Sequence, residues 1–212
     1  MPAQRISLFP LTGALLFPGM QLPLHIFEPR YRALVRDAMA RDRRIGMIQP
    51  RGDGASGKTN PDKPALYGIG CVGHIGEFEA LEDGRFNIIL TGIARFRIIK
   101  ELDVTTPFRQ VEAEVESLAV QNDDVLASIE RAALEQESQR FAQAQGYIVD
   151  WEAVSRLDDA SLVNGIAQIA PFDPASKQVL LEAMSLRERA ERTIQLMQFF
   201  GRTDSDGHAT LQ

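Results

Sequence analysis

One cysteine, Cys71, among 212 residues excludes an internal disulfide, and its place in an apolar run marks the thiol as a small buried hydrophobe. The three histidines, His25, His74 and His208, have no paired ligand spacing. Cys71 and His74, three apart on a strand, point to opposite faces unless a bulge at Gly73 intervenes, and no metal or other cofactor is expected. No run approaches the roughly 20 apolar residues of a membrane helix. The apolar N-terminus is broken by Pro10, Gly13, Pro18 and Pro23, too often for a secretory signal. A cytoplasmic protein without a membrane partner is the expectation. Excess positive charge is lacking too. The formal charge is −6. Residues 1–118 hold 15 Lys or Arg against 14 Asp or Glu, whereas residues 119–212 hold 8 against 15. A near-neutral half and an acidic half do not make the broad positive field that nucleic-acid affinity rests on. A G-x-S-x-G nucleophile turn is also missing, which leaves a serine hydrolase unsupported.

What is present begins with residues 9–32, FPLTGALLFPGMQLPLHIFEPRYR. Pro10, Gly13, Pro18, Gly19, Pro23 and Pro29 turn the backbone every few residues between short apolar runs, which predicts a strand-turn-strand-helix entry into a β-rich core. Residues 29–40 predict a helix, with Tyr31, Leu34, Val35, Ala38 and Met39 on one face and Pro29 at its first position. A strand over 44–49 follows, then a Gly/Ser/Pro-rich loop over 51–63. Gly68, Gly70, Gly73 and Gly76 stud a long β segment at 66–81 and predict bulges or close backbone approach. Asp83-Gly84 predicts a hairpin into β runs at 86–93 and 94–102. Val111, Ala113 and Val115 alternate with Glu112, Glu114 and Glu116, the period of a strand with one buried and one solvated face.

From about residue 122 the period becomes helical. Asp123 or Asp124 is the expected cap of a helix to about Gln145, and further helices are expected at 151–157, 159–170 and from Pro174. Ser185 and Glu188 stand at capping-box spacing before a last helix to about Phe200. Ile194, Met197 and Phe200 line one side of it, for internal packing or for a second copy. The expected division is a β-rich module at 1–118, a helical module at 119–200 and a frayed polar tail at 201–212.

Gly52-Asp53-Gly54-Ala55-Ser56-Gly57-Lys58-Thr59 satisfies the phosphate-loop pattern. A phosphate loop must run into a helix whose N-terminus holds the phosphates, but Asn60-Pro61-Asp62-Lys63-Pro64 follows, and two prolines block that helix. The match is read as a flexible loop, and no nucleotide is expected. Arg95, Arg97 and Lys100, with Arg41, Arg43 and Arg44, offer a local basic patch. The plainer reading is alternation, with Arg95 and Arg97 on the outer face of a strand whose Phe96 and Ile98 point inward. Glu112, Glu114 and Glu116 read as a solvated face rather than a catalytic pair.

Several segments share order and spacing with a known family. Phe27-Glu28-Pro29-Arg30-Tyr31, Leu66-Tyr67-Gly68-Ile69-Gly70, the hairpin Glu82-Asp83-Gly84, Leu90-Thr91-Gly92-Ile93-Ala94-Arg95-Phe96-Arg97 and the helical Asp173-Pro174 with residues 179–184 resemble the Lon protease N-terminal domain. The similarity covers about residues 5–200. It implies an α+β fold, a PUA-like β pseudobarrel with one embedded helix followed by a helical bundle. It also implies recognition of unfolded or exposed segments of other proteins, in the service of a protease. The ATPase and serine-lysine protease modules of the full enzyme have no counterpart here, and Ser56 and Lys58 lack the folded module that makes a catalytic dyad. The expectation is therefore a non-enzymatic peptide-recognition module, with RNA binding by a PUA-like protein as the alternative. An accessible strand edge would pair with an extended peptide, and Phe78 and Leu81, close to the hairpin, are the candidate contacts. The competing reading is that both pack inward.

Overall fold

The computed structural model describes residues 3–52, 63–116 and 125–207, with side chains described as far as residue 201. The chain forms two compact units, Met1–Leu118 and Ala119–Gln212.

Among the described residues, six strands and one helix make the first unit: β1 (Gln4–Pro10), β2 (Gln21–Ile26), α1 (Pro29–Met39), β3 (Arg44–Ile48), β4 (Ile69–Ala80), β5 (Phe86–Glu101) and β6 (Gln110–Val115). The sheet order is β2-β5-β4-β3-β1-β6, and β5 also pairs with β6. Five strands therefore close on one another, and β2 hangs from the first half of β5 as an edge. All pairings are antiparallel except β1 with β3. Ile6, Leu8, Ile48, Val72, Phe96, Val111 and Ala113 fill the barrel interior. The alternation read at 111–116 is met, since Val111 and Ala113 are fully buried.

The glycines of β4 act as their spacing predicts. A Cβ on Gly70 would lie 2.4 Å from the Met47 carbonyl and 2.6 Å from the Phe96 ring, so its absence makes room for the largest core side chain of the barrel. Register shifts fall at Val72/Gly73 and Ile75/Glu77. These bulges bend β4 and re-aim its outer half. The hairpin also forms, as a Gly84 bulge turn: the Gly84 N–H donates to Leu81, the Leu81 N–H donates to Arg85, and only Gly84 takes a positive φ.

The α1 helix buries Tyr31, Leu34, Val35 and Ala38. Tyr31 stacks on Phe9 at 4.1 Å and donates its hydroxyl to the Pro10 carbonyl. Burial pushes that hydroxyl's pKa above its ordinary value.

The second unit contains, among the described residues, α2 (Ser128–Ala144), α3 (Trp151–Ser155), α4 (Asp159–Ile169), α5 (Pro174–Glu182) and α6 (Leu186–Gly207). The expected cap at Asp123 or Asp124 lies outside the described residues. The helix itself starts at Ser128, where the Glu130 carboxylate accepts the Ala127 N–H. Asp150, Asp158 and Asp173 each accept the N–H three residues on, capping α3, α4 and α5. The Glu188 N–H donates to Ser185 Oγ as the sequence spacing predicts, and Glu188 reaches back to the Met184 N–H.

Phe172 sits between Phe141 and Phe200, with ring centroids at 5.9 and 5.5 Å. Met197 is buried. Two of the three apolar residues read on the last helix thus pack inside this unit, and the helix runs past Phe200 to Gly207. Arg189 is buried and donates to Asn164 Oδ1 at 2.7 Å and to the Leu180 carbonyl at 2.9 Å, joining α4, α5 and α6 through one guanidinium. None of the helices among the described residues is long and apolar enough to cross a membrane.

Candidate functional site

Gly92 places the edge strand. A Cβ there would meet the Phe17 carbonyl at 2.1 Å, so only glycine admits the segment that leads into β2. The Gly92 N–H then donates to the Met20 carbonyl, and register runs from Gln21 opposite Thr91 to Ile26 opposite Phe86. Counting by two from Met20, Leu22, Leu24 and Ile26 turn their backbone groups toward β5, whereas Pro23 and His25 turn theirs outward. A proline fits there because the outward position needs no N–H partner. The outer edge thus presents the Pro23 carbonyl and both backbone groups of His25.

Beside this edge lies a groove of about 640 Å³, lined by residues 23–25 of β2, 77–79 of β4 and 87–89 of β5. Asn87 assigns its face. Its Nδ2 donates to Glu79 Oε2 at 2.7 Å, which leaves Oδ1 to accept from His25 Nδ1 at 2.7 Å. His25 Nε2 then accepts from Arg85 at 3.2 Å. Arg85 is paired with Asp83, and its hydrogen bond holds that carboxyl below the usual carboxylate range. His25, Asn87 and Glu79 therefore form one bonded row across three strands. Pro23, Ile89 and Glu77, two residues along each strand, form the parallel row on the same face. The open volume lies between these rows, because Ile88 is buried and faces the other way.

Phe78 and Leu81 separate in the structure. Phe78 is 41% exposed and borders the groove. Its ring packs on Phe86 at 5.2 Å, on the face opposite Glu77 and Glu79, so it contributes backbone to the floor and an apolar rim beyond it. Leu81 is half-buried in the hairpin turn and does not line the groove. Phe27, just past β2, is 60% exposed and stacks at 6.3 Å from His25. The residues that the sequence reading missed are Pro23, His25, Glu77, Glu79, Asn87 and Ile89, drawn together from three strands.

Of the two arginines that alternation places outward on β5, Arg97 is exposed as expected and Arg95 is not. Arg95, expected on a solvated face, is buried and bonded to Glu116 at 2.7 Å. Lys100 pairs with Glu112 and Arg41 with Asp37. Three of the six cations in the candidate basic patch thus face a carboxylate, and two of the partners are Glu112 of β6 and Glu116 just past its end. Residues 53–59 of the phosphate-loop match and His208 lie outside the described residues. Among the described residues, no three His, Cys, Asp or Glu side chains are grouped to hold a metal.

The fold defines an α+β protein with one barrel unit and one helical unit. The family model for the substrate-binding domain of ATP-dependent protease La (LON) matches residues 5–198, and the chain belongs to that family. Lon protease 2 of Myxococcus xanthus is 25% identical over 202 residues, covering 92% of this chain and 23% of the relative. Lon protease 3 of Sorangium cellulosum is 28% identical over 201 residues, covering 91% and 23%. The chain therefore spans about a quarter of the length of the curated relatives it matches. The fold is shared with the Lon N-terminal domain protein from Xanthomonas campestris, at TM-score 0.65 and 22% identity, with 92% of this chain and 98% of that one covered. It is shared as well with the N-terminal domain of the Mycobacterium avium complex Lon protease, at TM-score 0.66, 18% identity and the same coverage.

Proposed function

We propose that this chain is a non-enzymatic recognition module that holds exposed, extended segments of other proteins against the β2–β5–β4 face. The observation that carries this reading is the groove beside the outer edge of β2, which pairs with no further strand among the described residues, with the exposed ring of Phe27 stacked on His25 of its lining. Backbone groups on the edge supply sequence-tolerant hydrogen bonds, and the groove supplies side-chain selectivity. The family assignment supports the same reading, because the matched model is that of a substrate-binding domain. The relatives carry the name protease, but the similarity covers only about a quarter of them. Catalysis is accordingly no part of this function, and cooperation with a protease and a cytoplasmic setting belong to the proposal. The pairing of cations with carboxylates favours peptide over RNA.

Fluorescence anisotropy of the full chain against unfolded-protein peptides, mixed single-stranded RNA and a labelled ATP analogue tests it. Saturable peptide binding that survives moderate salt is expected. Binding of RNA alone, abolished by salt, would replace this reading with the nucleic-acid one. Nucleotide binding lost in Lys58→Ala would restore the phosphate loop.

A further inference from the structure

The two rows of the groove differ in chemistry along its length. At the β2 and β5 end, Pro23 and Ile89 present apolar surface next to the bonded ring of His25. At the β4 end stand Glu77 and Glu79, two residues apart on the same face and both exposed. Glu79 is held only by the Asn87 amide, which donates hydrogen bonds but brings no charge. Glu77 has no hydrogen-bond or ion-pair partner among the described residues. Arg85, which donates to His25 of this row, is paired with Asp83. The groove thus runs from an apolar end to a doubly negative end that no cation balances among the described residues. The Asn87 bond fixes the Glu79 carboxylate in position, which lowers the entropy lost on pairing it with an incoming cation.

Resting on the recognition reading above, we propose that the groove selects extended peptide segments in which an apolar side chain and a lysine or arginine stand two positions apart, on the same face of the peptide. The apolar side chain sits on Pro23 and Ile89, and the cation sits between Glu77 and Glu79. The dimensions fit. Adjacent strands lie about 4.8 Å apart, so β2 and β4 are separated by about 10 Å. Side chains two positions apart on an extended peptide point the same way about 7 Å apart, and the flexible stem of lysine or arginine spans the remainder. An anionic segment in the same place meets two carboxylates, so the groove also rejects acidic sequences.

Three labelled, unstructured peptides test this by anisotropy with the full chain at low ionic strength. They share one leucine and carry lysine, serine or glutamate two positions on from it, with serine elsewhere. The wild type is expected to bind the lysine peptide about 10-fold tighter than the glutamate one, since each exposed charge contact is worth only a few-fold. Salt compresses that ratio. The double variant Glu77→Lys, Glu79→Lys is expected to reverse the order of the lysine and glutamate peptides, with its thermal melt reporting an intact fold. Equal binding of all three peptides by the wild type overturns the charge preference but leaves the recognition reading standing. A lysine preference that the double variant keeps places the selectivity elsewhere and overturns this site. Failure to bind any of the three removes the recognition reading itself, and this inference falls with it.

Discussion

Asn87 binds His25 through one end of its amide and Glu79 through the other, so a single side chain on β5 ties the edge strand β2 to β4 across the groove. Each side-chain hydrogen bond of this kind, exposed to water, is worth little alone. Their joint effect is to hold three neighbouring side chains in one arrangement. Asn87→Ala is expected to leave thermal stability within about 1 kcal/mol of the wild type, yet to weaken peptide binding several-fold by releasing His25 and Glu79. Parallel melting and anisotropy measurements separate the two effects.

Ile89 and Phe78 occupy opposite faces of the same sheet, and their substitutions should part accordingly. Ile89→Asp puts a charge into the apolar end of the groove and is expected to abolish binding of apolar peptides. Phe78→Ala removes half of an aromatic pair with Phe86. It is expected to cost about 1–2 kcal/mol of stability while changing peptide affinity much less than Ile89→Asp does. Equal binding losses in both variants would contradict the face assignment.

The Gly92 contact is a steric demand. Gly92→Ala sets a methyl group against the Phe17 carbonyl, where the Cβ would stand 2.1 Å from the oxygen. Relief requires the residues leading into β2 to move away. A loss of about 2–4 kcal/mol is expected in denaturant unfolding, with faster amide exchange along β2 than along β4.

Much of the architecture was readable from local pattern. Helix α1 was expected at residues 29–40 and spans Pro29–Met39, because its apolar spacing, its proline start and its packing all agree. The long β segment ended in bulges at its glycines for the same local reasons. Two β runs expected at 86–93 and 94–102 are instead one continuous strand, Phe86–Glu101, since Gly92 serves a close approach and makes no break. The parallel pairing of β1 with β3 and the closure of β5 on β6 left no trace in local pattern, because register between distant strands is set by the packed core. Arg95 was misplaced for a related reason: alternation says which face a residue takes, not whether that face is covered at that point, and Arg95 is buried while Arg97 two residues on is exposed. The groove was hidden likewise. His25, Glu79 and Asn87 are far apart in the chain until three strands align, and the only local sign was polar residues alternating with apolar ones on each strand.

The aspartate caps give the helical unit an acid response. Hydrogen bonds from the Ser161 backbone hold the Asp158 carboxyl below its usual range, and those from Ser176 do the same for Asp173. A carboxyl whose folded pKa is depressed adds stability that is present above its unfolded pKa, about 3.9. That stability is lost as pH falls through the folded value. Asn caps a helix about as well as Asp. Asp158→Asn with Asp173→Asn is therefore expected to keep stability at neutral pH within about 1 kcal/mol and to flatten its decline below pH about 4, followed by unfolding at a series of acid pH values.

The claim on which the rest depends is that an extended peptide lies on the β2–β5–β4 face. A leucine-lysine peptide carrying a nitroxide at one end, titrated into isotopically labelled full-length chain, reports this directly through line broadening in amide spectra. The account predicts broadening centred on residues 23–25, 77–79 and 87–89, lost when the nitroxide is reduced and absent in Ile89→Asp. Broadening centred instead on the helical unit, or on the opposite side of the barrel around β1 and β6, would contradict it.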